Sequence, residues 1–167
     1  GVGAGNASAI IDSTADIVNA VNSIIHSKTF DNGMICATEQ TLIVDKTIYN
    51  DVKKEFEKRG CMFLDKKQAD MIRKVMLING ALNAKMAGFE IPESVKVIIG
   101  EATSLEPDEA FGHEKLTTIL GMYKSDNFDQ ALDMADTLLK NNGGLGHTSV
   151  LWINNNTERE KLDKWAE

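Results

Sequence analysis

With two cysteines, two prolines and three histidines in 167 residues, the sequence is poor in the residues that build disulfide scaffolds, proline-rich linkers and zinc centres. Cys36 and Cys61 are too few for a disulfide framework, and a reducing, cytoplasmic setting is the expectation. The cysteines and histidines stand at no metal-ligand spacing, so no metal is expected. Basic residues are also short: 18 Lys and Arg against 25 Asp and Glu give a net charge of −7. Without a basic cluster to neutralise phosphates, nucleic acid is not an expected partner. No apolar run approaches the ~18–20 residues that span a bilayer. No basic stretch leads into an apolar one as in a secretory leader, so no membrane partner is expected either. Neither a G-x-S-x-G nor a Walker pattern occurs.

What the sequence does hold is an alternation of helical and extended signals. Hydrophobic residues make up 43% and charged residues 26%, enough apolar material for a buried core. Ile17, Val21, Ile24, Ile25 and Lys28 recur at helical spacing within residues 15–29, with Asp12, Ser13 and Thr14 as candidate caps. Asp31-Asn32-Gly33 then signals a turn. Residues 7–11 and 41–45 read as extended, 48–59 as a helix closed by Gly60, and 66–78 as another helix. Residues 95–99 (VKVII) are β-branched and read as a central strand. Residues 118–123 form a weaker strand, 127–142 a helix closed by Gly143-Gly144, 147–153 the last strand, and Thr157 opens a charged helix. The alternation predicts an α/β fold, a mostly parallel open sheet with helices on both faces, as one domain over residues 1–167. Chemistry in such folds is expected beyond the carboxyl ends of the strands. The opening GVGAGN, without methionine, reads as a start inside a larger polypeptide.

Two residues stand out as candidates for chemistry. Cys36, in SKTFDNGMICATEQ, follows a helix and a turn and precedes a strand, which puts it on a loop at a sheet edge. A cysteine beside Met34 and Ile35 is more often inert packing, but a loop leaves a thiol reachable, as a nucleophile must be. Cys61 has no such setting and reads as core. His147 follows the turn-forming run NNGGLG and starts a strand; a capping role and a proton-transfer role are both open to it. His26 reads as a helix-face residue, and His113 has no comparable setting. GVGAGN invites a dinucleotide-fingerprint reading, yet no strand precedes it and no helix opens on its third glycine. A glycine-rich segment passing close to a ligand is the better reading. Asp126, Asp129, Asp133 and Asp136 follow one helix surface and read as a solvated face.

Taken in order, GVGAGNASAIID, SKTFDNGMICATEQ, FGHEKLTTILGMY and GGLGHTSVLW resemble the thiol-bearing catalytic domain of CoA-acylating aldehyde dehydrogenases. The resemblance covers essentially the whole chain and is strongest to the acetaldehyde dehydrogenase half of bifunctional aldehyde–alcohol dehydrogenases. FDNGMICATEQ is its most specific part, and HEKL and GVGAGN are less so. It implies that Cys36, as thiolate, attacks an aldehyde, that hydride passes to NAD, and that coenzyme A takes the acyl group from a thioester on Cys36. His147 would handle a proton or position CoA. Glu114 would hold the ribose next to the nicotinamide, Gly3 would lie against the cofactor, and Met34 and Ile35 would border the substrate. Backbone amides around Cys36 would contribute to an oxyanion pocket. Val2 stands where hydrolytic relatives carry a glutamate that activates water, which favours a thiol acceptor.

Three departures accompany the resemblance. The amino-terminal half that would bind NAD and the alcohol dehydrogenase half are not in this chain, so the segment alone is expected to be inactive. Thr118 stands where relatives usually carry proline after HEKL, and the stretch around residues 84–88 is shorter than in relatives. The expected partners are a small aldehyde, CoA and the rest of the parent polypeptide, with a homo-oligomer or filament in the full-length protein. Two other readings stay open: a hydrolytic dehydrogenase domain that releases free acid, and a module serving mainly in assembly.

Overall fold

The computed structural model describes residues 5–79 and 88–167. Val2, Gly3 and residues 80–87, where the sequence reads as shortened, lie outside the described residues. One six-stranded sheet has the order β3-β4-β5-β2-β1-β6. Its strands are β1 (Ser8–Ile11), β2 (Thr41–Asp45), β3 (Met62–Phe63), β4 (Ile98–Glu101), β5 (Ile119–Ser125) and β6 (Ser149–Trp152). All five pairings are parallel. The helices among the described residues are α1 (Ile17–Thr29), α2 (Tyr49–Lys58), α3 (Lys66–Asn79), α4 (Phe128–Asn142) and α5 (Arg159–Ala166). None is long and apolar enough to cross a membrane.

Helices cover both faces of the sheet, and the strand sequences show why. All five residues of β2, TLIVD, are buried, because successive side chains point to opposite faces and both faces are packed. Ile43 and Ile10 join Ile72 of α3 and Leu138 of α4 on one side. Leu42, Val44, Ala9 and Ile11 join Val21 and Ile24 of α1 and Phe56 of α2 on the other. Local chemistry sets the helix starts. Asp16, not the expected Asp12, Ser13 or Thr14, caps α1 by accepting the Asn19 amide. Asp12 is occupied elsewhere, accepting from Thr14 and from Lys161 of α5. Asp65 and Gln68 form a reciprocal capping box at the start of α3.

Two strands differ from the sequence reading. Of VKVII only Ile98 and Ile99 lie in β4, which runs on through Gly100 and Glu101 and stands second from the sheet edge rather than at its centre. The weaker strand, β5, is seven residues long and lies in the sheet interior. The two strands share one packing feature. Gly100 and Gly121 are register partners on β4 and β5, and the fully buried Phe111 fills the space their missing side chains leave. Glycine lowers the strand propensity of each segment, yet each is required there, since a Cβ at either position would run into Phe111.

Gly100→Ala is therefore expected to destabilise the fold by about 1–3 kcal/mol through overpacking, read as a lower midpoint in urea denaturation. An unchanged midpoint would show that the ring has room to move.

Candidate active site

Gly5, Cys36, Glu114 and His147 each lie just ahead of a strand, β1, β2, β5 and β6 respectively. Those four strands are neighbours in the sheet, in the order β5-β2-β1-β6. Because every pairing is parallel, the four loops meet at the amino ends of the strands. This corrects the expectation of a site beyond the carboxyl ends. It also corrects the placement of Cys36 at a sheet edge, since β2 is an interior strand. The usual rule rests on loops that leave strands and lead into helix amino termini; here the chemistry-bearing loops are those that leave helices and lead into strands. The carboxyl ends instead carry a cleft of ≈ 470 Å³ lined by Asp12, Asp45, Asp129, Glu158 and Glu160 with Lys161 and Lys164. Both lysines are already paired with acids, and the surplus of carboxylates repels phosphate-bearing ligands.

Cys36 reaches its position through an unusual turn. After α1, Asp31, Asn32 and Gly33 adopt positive φ angles of 47°, 53° and 75°, a left-handed run that Asp, Asn and Gly tolerate best. A Cβ at Gly33 would strike the Thr117 carbonyl, so the turn is pressed against the loop that carries Glu114. The Thr38 amide and hydroxyl both donate to the Ile35 carbonyl, at 3.1 and 3.0 Å. Between them Cys36 is partly exposed, and its Sγ lies 3.3 Å from His147 Nε2. The amides of Cys36 and Ala37 donate to no described protein group. Met34 is exposed and Ile35 half-buried next to the thiol.

His147 is delivered by a glycine-rich turn. Gly143, Gly144 and Gly146 have φ of 83°, 107° and 78°, and the His147 amide donates to the Gly144 carbonyl at 3.0 Å. The strand itself starts two residues later than expected, at Ser149. His26 lies exposed on α1, and the His113 ring sits 2.6 Å from the Pro107 carbonyl, away from the thiol. Glu114, expected to reach towards a ribose, accepts the Gly5 amide on Oε1 at 3.0 Å. Thr118, which stands where relatives carry proline, has its carbonyl bound by the Ile98 amide, while Leu116 two residues earlier has φ of 41°.

Sequence reasoning missed the residues that hold these loops together. Gln40 is fully buried. Its Oε1 accepts from Lys28 Nζ at 3.2 Å and the Lys115 amide at 2.9 Å, and its Nε2 donates to the Thr38 carbonyl at 3.3 Å. Lys115, also buried, donates its ammonium to the carbonyls of Phe111 and His113. Lys28 was visible as the one charged residue on the apolar stripe of α1; nothing local marks Gln40 or Lys115. Burial pulls the Lys28 amine down to about 8, opposed by the charges of Glu39 and Glu114. Burial pulls Lys115 well below the usual lysine range, and the charge of Lys28 adds to this. Burial pushes the Cys61 thiol up to about 11.

Similarity to known proteins points the same way. The model of the Aldehyde dehydrogenase family matches residues 3–61. The chain is 48% identical over 177 residues to an aldehyde-alcohol dehydrogenase of Clostridium acetobutylicum, covering 99% of this chain and 20% of that protein. It is 40% identical over 178 residues to a bifunctional aldehyde-alcohol dehydrogenase of Escherichia coli, covering 100% of this chain and 20% of that protein. The chain thus spans about a fifth of the length of these curated relatives. The crystal structure of an acetylating aldehyde dehydrogenase from Geobacillus thermoglucosidasius superposes with a TM-score of 0.90 at 37% identity, covering 99% of this chain and 38% of that one.

Two outcomes are expected from this geometry. Iodoacetamide at neutral pH labels Cys36 at least about tenfold faster than the buried Cys61, by peptide mapping; equal labelling would remove the case for Cys36. The second concerns Lys28, whose folded-state value of about 8 lies below the ordinary 10.5. Between those values the unfolded chain keeps a proton that the folded chain has lost, so stability rises with pH. Lys115 acts in the same direction, whereas Cys61, raised from 9.0 to about 11, opposes it above pH 9. The gain is therefore cleanest from pH 8 to 9, on the order of 1 kcal/mol for Lys28. Lys28→Met should lower that slope in denaturant titrations at the two pH values, and an unaltered slope would exclude Lys28 as its source.

Proposed function

We propose that this chain, homologous over its whole length to segments of aldehyde-alcohol dehydrogenases and of an acetylating aldehyde dehydrogenase, carries the thiol side of an acylating aldehyde oxidation. The observation that carries the reading is the 3.3 Å approach of Cys36 Sγ to His147 Nε2 on partly exposed loops. An imidazole at that distance can take the thiol proton and leave the sulfur as nucleophile.

Cys36 Sγ attacks the aldehyde carbon, a C–S bond forms, and the carbonyl electron pair moves to oxygen. The amides of Cys36 and Ala37, which bond to no main-chain acceptor among the described residues, are the proposed donors to that oxyanion. When the oxygen's pair re-forms the carbonyl, the C–H bond breaks as hydride and the carbon is oxidised to a thioester on Cys36. A nicotinamide dinucleotide supplies the two-electron acceptor when bound, NAD being the expected form. Glu114 suits its ribose because Oε1 is committed to Gly5, whereas Oε2 carries no hydrogen bond among the described residues. Once His147 has released the first proton to solvent, it takes the proton of the coenzyme A thiol, whose sulfur attacks the thioester carbon and displaces the Cys36 thiolate. Acyl-CoA leaves, and the steps run in reverse when acyl-CoA is reduced. Acetaldehyde and acetyl-CoA are the proposed pair, in a reducing cytoplasm that keeps Cys36 a free thiol.

The full polypeptide containing this sequence is expected to convert acetaldehyde, NAD and CoA to acetyl-CoA rather than acetate. Cys36→Ser should abolish the reaction and His147→Ala slow it by roughly 10²–10⁴-fold. The 167-residue segment alone should show no turnover. Free acetate as the main product, or full activity in Cys36→Ser, would overturn the assignment.

A further inference from the structure

The Glu114 carboxylate is committed before any ligand arrives. Its Oε1 accepts the Gly5 amide at 3.0 Å, and Gly5 lies directly against Cys36. A methyl group added at Gly5 would stand 2.5 Å from the Cys36 carbonyl oxygen and 2.6 Å from its Cβ. Whatever fixes the Gly5 backbone therefore fixes the backbone of Cys36. The loop bearing Glu114 is itself held from three sides. The next residue, Lys115, gives its amide to Gln40 Oε1 at 2.9 Å and its ammonium to the carbonyls of Phe111 and His113. Thr117 is pressed against Gly33 of the turn that precedes Cys36. Lys28, fully buried, lies within range of the Glu114 charge. A carboxylate reserved for a ribose would need none of this bracing towards the thiol.

We infer that Glu114 is a positioning residue for Cys36: acting through the Gly5 amide, it holds the sulfur against His147 whether or not a dinucleotide is bound. The inference rests on the reading of Cys36 as the reactive thiol and deepens it. The same carboxylate then serves two ends of one site, with Oε1 on the Gly5 amide and Oε2 left for a ribose.

The test reads the thiol itself. In protein freed of dinucleotide and CoA, iodoacetamide labelling at neutral pH is followed at Cys36 and Cys61 by peptide mapping. Glu114→Ala and Glu114→Asp both take the acceptor out of reach of Gly5 and should slow labelling of Cys36 about fivefold, the effect of one lost charge-assisted hydrogen bond. Glu114→Gln keeps an acceptor oxygen at the same reach and should restore the rate to within about twofold. Cys61, buried in the intact fold, reports unfolding. If it becomes labelled in Glu114→Ala, the decision passes to Glu114→Asp, which keeps the charge beside Lys28. Unchanged labelling in both, a Gln variant as slow as Ala, or exposure of Cys61 in the Asp variant as well would each overturn the inference. A wild-type protein that labels Cys36 no faster than Cys61 would instead overturn the reading on which it rests.

Discussion

The site depends on a backbone contact with no room for a side chain: Gly5 against Cys36. Parallel strands β1 and β2 run side by side in register from Ser8 and Thr41, and their leading segments converge where the loops begin. Close approach of the two backbones sets the Gly5 amide, held by the Glu114 carboxylate, directly beside the thiol loop. Gln40 extends the same constraint sideways, tying the thiol loop to α1 and to the loop bearing Glu114 through a single carboxamide. The neutral, fully bonded carboxamide does this without adding another charge to a region already holding two buried lysines.

Those lysines explain why the region is polar and yet closed. Lys28 and Lys115 satisfy their ammonium groups with the Gln40 carboxamide and with main-chain carbonyls. The carboxylates of Glu39 and Glu114 supply opposite charge from either side. Buried charge of this kind adds little net stability and loses much if one member is removed. Its value here lies in fixing the geometry of four loops around one thiol.

The legible part of the molecule was the part written in short-range pattern. β2 is readable because a strand packed on both faces carries a continuous apolar run, here Leu42-Ile43-Val44, and α4 because Asn127 and Gly143 mark its ends. β5 looks weak because Gly121 sits in its middle, and the reason for that glycine, the Phe111 main-chain carbonyl, lies ten residues away in sequence. Cys36 and His147 could be singled out from their loops, but their mutual approach spans 111 residues and became visible only with the fold. The same holds for Gln40 and Lys115, 75 residues apart. The general rule about strand ends points to the carboxyl side of the sheet, whereas Cys36 precedes its strand and so lies at the amino side.

Phe111 serves both the core and the site. Its ring occupies the slot over Gly100, its carbonyl lies over Gly121, and that same carbonyl accepts from the ammonium of Lys115, the neighbour of Glu114. A core residue that doubles as a strut for the site blurs the usual separation between alleles that spoil folding and alleles that spoil chemistry. A genetic screen for lost function would gather changes at these two glycines alongside changes at the thiol. Laboratory evolution towards heat tolerance would find this corner of the protein the hardest to remodel.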